Sequence, residues 1–526
     1  DYYSLFAIMA NSRMTYASIH NPDKLANQAK TLRTEKSKIR QMLIDSWQIR
    51  TKNLGRYLVA TSGIRNQAQE YFETKSQRHD FSQDLIIADF EGQDYGDWQA
   101  TGEAFGLKPA RGNLEFQKDV IGFKGIGFAN SLSDGDKAQG MLTSPKFQVR
   151  RKFVNFLIGG GNYHNKTCVN LVIDDQIVRT ATGNNQAKLA AVTWNVSEFA
   201  DKTARIEIVD KHSGGWGHIS LDHIALTNLP TSPESLYSEM AQQATVDDQS
   251  LEVDQLIQWA NVLKDAKIDK PEHPLYHWFK AIEELRSEAP INLQMSGELK
   301  SDLKQKDSAV LGDFRDGDFG NWYLEGIAFG QSSLAEGDIL ISGKDRQINQ
   351  LLPSIPSSVG ATTQLPGALR SPTFTIEHDF INVHALGHGN KIRIVLHNLQ
   401  LIRDPIYGGL ERQINNSRVQ WQKFDVRRWK GHRAYIEMLH GVGFDNFIAV
   451  DLVVAHNGEL PKSFTIKIQQ FSEQVASCEE LATLFDQRIL SAFNVWKVGT
   501  SDRYQLDLPN FLLQHKLLSN SSDLNA

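Results

Sequence analysis

The chain has 526 residues, 40% hydrophobic and 22% charged, with a formal net charge of −6. That length asks for several cores rather than one, and that balance excludes a basic footprint for nucleic acid. No apolar run approaches the ~20 residues of a membrane helix, and two cysteines, Cys168 and Cys478, rule out a disulfide framework and a CxxCH haem attachment.

In chain order, residues 1–80 read as helical. Leu25, Leu32, Ile39, Leu43 and Trp47 recur at helical steps among Lys, Arg, Glu and Gln, behind the turn Asn21-Pro22-Asp23. The chain opens at Asp1, without Met, in an apolar-aromatic passage, so this segment is expected to be the end of an upstream domain in a longer protein. From Leu85 short apolar or alternating stretches take over, split by Gly, Asn and Asp: Phe153–Ile158, Cys168–Ile173 and Ala204–Val209. These predict strands of an antiparallel sandwich, with Asp174-Asp175-Gln176 as a hairpin turn. Residues 232–300 return to helical spacing as a spacer, 308–456 form a second sandwich, and 464–526 are mainly helical and lead to a downstream domain. Within the second sandwich, residues 342–368 are rich in Ser, Pro, Gly and Gln and predict a surface loop.

The two sandwiches repeat one passage. Asp89-Phe90-Glu91-Gly92 and Gly96-Asp97-Trp98 return as Asp313-Phe314-Arg315-Asp316 and Gly320-Asn321-Trp322. Ser144-Pro145 is answered by Ser371-Pro372, Ala204-Arg205-Ile206-Glu207 by Ala434-Tyr435-Ile436-Glu437, and Asp222 by Asp451. A repeat this long is a whole domain and not a solenoid unit. The expected fold class is therefore multidomain α+β, with two antiparallel jelly-roll-like β-sandwiches separated and flanked by helical segments.

Three groups of residues carry chemistry. Asp89, Glu91 and Asp222 would meet if the first and last strands of a sandwich are neighbours. Clustered carboxylate oxygens suit a structural calcium ion, while the alternative is that they cap turns and accept backbone N–H groups. Arg315 replaces Glu91 in the second copy and would oppose a cation. The tract Ser213-Gly214-Gly215-Trp216-Gly217-His218 leaves room beside an indole, whose face could stack on a sugar ring while His218 supplies a hydrogen bond. Trp98 and Trp322 are equivalent and Gly-flanked, either ligand contacts or covers for the end of the sandwich. No HExxH, GxSxG, Walker or Cys/His metal pattern is present, so no catalytic centre is visible.

Leu142-Thr143-Ser144-Pro145, Ile158-Gly159-Gly160-Gly161 and Gly215-Trp216-Gly217-His218-Ile219 resemble the non-catalytic β-sandwich attached to some bacterial glycoside hydrolase family 32 proteins, whose catalytic propeller has no counterpart here. Tyr2-Tyr3-Ser4-Leu5-Phe6, Leu369-Arg370-Ser371-Pro372 and Trp429-Lys430-Gly431-His432 resemble the central part of planctomycete proteins that join a c-type cytochrome domain to two domains of unknown function. The resemblance implies an exported protein, periplasmic or on the cell surface, with haem confined to an upstream domain and no cofactor in this chain beyond calcium. The expected function is non-catalytic: binding of carbohydrate or a glycan-bearing partner, with no nucleic acid and no membrane span. The alternatives are a segment of a redox or hydrolytic enzyme and a purely architectural spacer.

Overall fold

The computed structural model describes residues 3–5, 8, 12, 22–50, 53–112, 117, 119–133, 135–265, 270, 273–287, 289–295, 307–314, 318–329, 337–341, 348–352, 355, 357–358, 363–400, 409–443, 445–459, 471–497 and 506–518. Arg315, residues 464–470 and Ser519–Ala526, and the side chain of Leu25, lie outside them. The chain divides into two compact units, Ala60–Asn261 and Asp1–Val59 with Val262–Ala526.

The unit Ala60–Asn261 holds the first sandwich, two six-stranded antiparallel sheets. One runs Gln186–Asn195, Phe153–Gly160, Ile219–Thr227, Gly127–Asn130, Ala110–Arg111, with Leu85–Ala88 added on Ile219–Thr227. The other runs Gln99–Gly102, Gly140–Thr143, Thr203–Asp210, Thr167–Ile173, Gln176–Ala181, with Phe147–Gln148 on Thr203–Asp210. Alternation decides which side chains meet between the sheets: Phe156, Ile158 and Leu221 from one and Leu142, Leu171, Ile206 and Ile208 from the other are buried in one cluster. Phe156 and Trp194 close it in an edge-on pair at 4.6 Å. The hairpin predicted at Asp174-Asp175 is a two-residue turn with both φ positive, 51 and 60°, the backbone that matches strand twist and that Asp tolerates.

The other unit carries the second copy as one eight-stranded antiparallel sheet, ordered Ser308–Asp313, Phe447–His456, Phe380–Leu396, Arg433–His440, Gly367–Arg370, Tyr323–Gly326. Phe374–Thr375 pairs with Arg433–His440, and Glu411–Asp425 with Phe380–Leu396. The strand Phe380–Leu396 lies beside Phe447–His456 through residues 380–388 and beside Arg433–His440 through 391–396. It turns at Gly387-His388-Gly389, where Gly389 has φ 66° and the register shifts. In the first copy this path is broken into Phe153–Gly160 and Thr167–Ile173, and the loop between them is absent from the second.

Within residues 342–368, a stretch of five described residues differs from the expected loop. Ile348–Leu352 is a strand paired with Asp338–Ile341. Its outer edge is satisfied by side chains far along the chain: Leu351 N–H donates to Asn510 Oδ1 at 2.7 Å, and Trp496 Nε1 donates to the Leu352 carbonyl at 2.9 Å. Local composition hides such partners.

Helices of this unit come from three parts of the sequence. Trp47 of Pro22–Arg50 stacks on Phe493 of Cys478–Lys497 at 4.8 Å, and Trp278 of Tyr276–Ser287 meets Phe485 edge-on at 4.9 Å. Leu43 and Trp47 are buried as their spacing predicts, whereas Leu32 is exposed. Among the described residues no helix is long and apolar enough to cross a membrane.

Candidate functional site: the Trp216 turn and its supports

Gly214 to Gly217 form a tight turn, closed by Gly217 N–H donating to the Gly214 carbonyl at 2.8 Å. Trp216 occupies its third position with φ 59°, a conformation normally left to Gly or Asn and worth about 1–2 kcal/mol of strain for other residues. The residue is 38% exposed, and its indole stacks at 5.6 Å on the ring of His218. A Cβ on Gly161 would overlap the Trp216 carbonyl, so the glycine run ending Phe153–Gly160 lets the turn approach. Tyr163, in the loop peculiar to the first copy, donates its hydroxyl proton to the Gly215 carbonyl at 3.0 Å. Its ring meets His212 edge-on at 3.9 Å, and His212 Nδ1 accepts Gly214 N–H at 3.1 Å.

His218 is buried, and both ring nitrogens are occupied. Leu132 N–H donates to Asn130 Oδ1 at 2.6 Å, which fixes that amide. Asn130 Nδ2 then donates to Gln117 Oε1 at 2.9 Å and to Ser220 Oγ at 3.0 Å. Gln117 must therefore turn its Nε2 toward His218 Nε2, 3.1 Å away. Nε2 is the acceptor, so Nδ1 carries the proton and donates it to Asp136 Oδ1 at 2.7 Å. The chain Leu132–Asn130–Gln117–His218–Asp136 thus sets one tautomer and one ring orientation. His218 is a support beneath the indole, in place of the ligand contact expected of it. Asp136, which ends this chain on the His218 ring that carries Trp216, has a side chain 35% exposed.

Asp210 lies below, fully buried with Oδ2 lacking a partner among the described residues. Burial pushes its pKa up to about 6, and the Asp136 carboxylate adds to the rise. A carboxyl with no exposure cannot meet a ligand.

Asp89, Glu91 and Asp222 do come together. Leu85–Ala88 pairs with the strand holding Asp222, and burial, with the charges of Glu91 and Asp89, pushes Asp222 up to about 6. Their oxygens face backbone amides. Asp222 accepts Lys124 N–H at 2.7 Å and His223 N–H at 2.6 Å. Glu91 Oε1 accepts Ile126 N–H at 2.9 Å and Gly127 N–H at 3.0 Å, and Asp89 accepts Glu91 N–H at 3.2 Å. This is the capping arrangement; among the described residues no group of three or more His, Cys, Asp or Glu could hold a metal ion. In the second copy Asp451 pairs with His384 Nδ1 at 2.9 Å, and Trp421 stacks on that ring at 4.4 Å.

Trp98 and Trp322 each pack against an aromatic residue of their own copy. Trp98 is half-buried against Phe90 at 5.5 Å. Trp322, a candidate ligand contact by sequence, is buried, edge-on to Phe314 at 5.1 Å, with Nε1 donating to the Leu311 carbonyl at 3.1 Å. Its indole N–H has the partner a buried Trp requires, which makes it a core residue. Sequence reasoning missed Gln117, Asn130, Asp136 and Tyr163, whose only local signal is the turn composition around Ser133–Lys137 and Asn162–Lys166.

No protein-family profile matches the chain. A curated protein described as a putative glycosyl hydrolase, ecdE, from Aspergillus rugulosus is 39% identical over 147 residues, 27% of this chain and 21% of that protein. The chain therefore spans about a fifth of that relative. Solved structures with local likeness include a cyclase from Fischerella (15% identity, 27% of this chain, 96% of that one, TM-score 0.19). Others are a cleaved adhesin domain of Lys-gingipain from Porphyromonas gingivalis (13%, 28%, 98%, 0.20) and a family 35 carbohydrate-binding module from an environmental isolate (15%, 26%, 96%, 0.16). Likeness at this level bears on neither ligand nor activity.

Proposed function

We infer that the first sandwich is a jelly-roll-like, non-catalytic carbohydrate-binding module of an exported protein, with Trp216 as its stacking face and Asp136 as its hydrogen-bonding group. The observation that carries this reading is the conformation of Trp216. A large side chain is held at positive φ and left more than one-third exposed, while three side chains, Asn130, Gln117 and Asp136, and the Leu132 amide fix the ring beneath it. Strain of this kind marks positions where the side chain serves something other than packing. An apolar face with a carboxylate at its edge suits a sugar ring, whose C–H side stacks and whose hydroxyls donate. The curated relative that matches 27% of this chain is described as a putative glycosyl hydrolase, which supports a link to glycosidic chemistry. A shallow site of this size gives affinities of about 4–8 kcal/mol, millimolar to micromolar.

Trp216→Asn tests the reading, because Asn accepts the same φ. The variant is expected to keep its melting temperature within a few degrees and to lose retardation in polysaccharide affinity gels across a plant and microbial glycan panel. Retardation equal to wild type would remove Trp216 from the site and the reading with it.

A further inference from the structure

The hairpin corner that bears Asp174-Asp175 in the first copy bears His397-Asn398 in the second. Ala204 pairs with Ile173 in one, and Ala434 with Leu396 in the other, so Asp174 corresponds to His397 and Lys202 to His432. Both corners have the same backbone, φ 49 and 63° at His397 and Asn398 against 51 and 60°. In the first copy the two positions form an ion pair, Lys202 Nζ to Asp174 Oδ2 at 3.3 Å. In the second they are two imidazoles, with His397 Nε2 and His432 Nδ1 2.7 Å apart. Neither position is buried, and both backbones are tied: His397 N–H donates to the Arg433 carbonyl at 2.8 Å and His432 N–H to Trp429 at 3.1 Å.

We propose that His397 and His432 form a two-imidazole site for a divalent transition ion that prefers square-planar nitrogen ligands, copper(II) or nickel(II). Two nitrogens each about 2.0 Å from a metal lie about 2.8 Å apart at a right angle and about 3.3 Å apart at the tetrahedral angle. The observed 2.7 Å is a direct ring-to-ring contact, with the two rings end-on and their centroids 5.0 Å apart. Entry of an ion turns both rings until their lone pairs converge on it, which two side chains at an unburied corner can do, and copper(II) heads the affinity order for such nitrogen ligands. The same two nitrogens share one proton in the neutral pair. Metal entry moves it to the outer nitrogen of its ring, a change of tautomer with no net proton release. Water completes the coordination at this open corner. Trp429 lies edge-on to His432 at 5.9 Å, within quenching range of a bound copper(II) ion.

The test uses the full chain and copper(II) itself, with titration calorimetry and electron paramagnetic resonance. The comparison is the double variant His397→Asp/His432→Lys, which installs the pair the first copy already tolerates at the same corner. Wild type is expected to bind one ion with hyperfine structure from two nitrogens, and the double variant to lose at least tenfold in affinity while its melting temperature holds. Unchanged affinity in the double variant, a one-nitrogen spectrum, or tighter zinc than copper binding would each overturn the assignment.

Discussion

At the scale of single residues the two copies use one strand position differently. Glu437 has no exposure and accepts from Arg370 at 2.7 and 2.9 Å, from Arg393 at 2.5 Å and from Gln400 at 3.1 Å, and Arg370 also grips Glu325 through two bonds. Its counterpart Glu207 is half-buried and paired with Arg205 at 2.9 Å. The difference follows from the strand partners: Arg370 and Arg393 face Glu437, where Thr143 and Asn170 face Glu207. Removing one partner of a buried pair costs about 3–5 kcal/mol, whereas exposed pairs are worth about 0–1. Glu437→Gln is thus expected to lower the urea midpoint strongly and Glu207→Gln hardly at all; equal effects would contradict the assignment. The carboxylates Asp89, Glu91 and Asp222 hold backbone amides, so calcium and a chelator are expected to leave the melting temperature within about 1 °C of each other. The sequence suggested that these three could meet, on the adjacency of first and last strands, and Leu85–Ala88 does pair with the strand that holds Asp222. It left their ligand open, because the amides of residues 124–127 come from a loop with no pattern of its own.

At the scale of elements, the junction between Leu54–Arg78 and Cys478–Lys497 shows two opposing terms being resolved. Asp486 receives Gly55 N–H at 2.7 Å, capping a helix start from 431 residues away. The positive end of that helix favours an anion, yet burial dominates and pushes Asp486 up to about 7. A carboxyl raised above its unfolded value of 3.8 stabilises the fold fully below that value and loses the contribution as pH rises toward 7. At about 1.4 kcal/mol per unit the loss amounts to a few kcal/mol. Asp486→Asn keeps the acceptor without the charge, so its stability relative to wild type should climb between about pH 4 and 7. A flat difference across that window would show that Asp486 does not titrate there. Gly55 meets the Ala482 backbone so closely that a Cβ would overlap it. Gly55→Ala gains ~1 kcal/mol of helix propensity and costs roughly 1–3 in overpacking, so a net loss of thermal stability is expected. Helical spacing marked a buried face at Trp47, and Trp259 and Trp278 are buried on their helices too, but Ile291–Met295 and Phe471–Val475, in stretches read as helical, are strands paired with each other. Which helices meet depends on contacts across most of the chain, and no local pattern records those.

At the scale of the whole molecule the repeat is a scaffold with two different elaborations. The first copy interrupts its long strands, and the interruptions supply Tyr163 and the glycine run that seat the Trp216 turn. The second keeps Phe380–Leu396 continuous and has no counterpart of that loop. Shared residues such as Phe314 and Trp322 pack cores, so a function carried by the module is expected where the copies differ. The indole resonances give the most direct measurement: a ¹H–¹⁵N titration of the full chain with the oligosaccharide retained in the affinity gels. Trp216 Nε1–H is expected to shift saturably while Trp322 and Trp194 stay fixed. Saturable shifts at other tryptophans with Trp216 unmoved would place the binding site elsewhere and contradict the account.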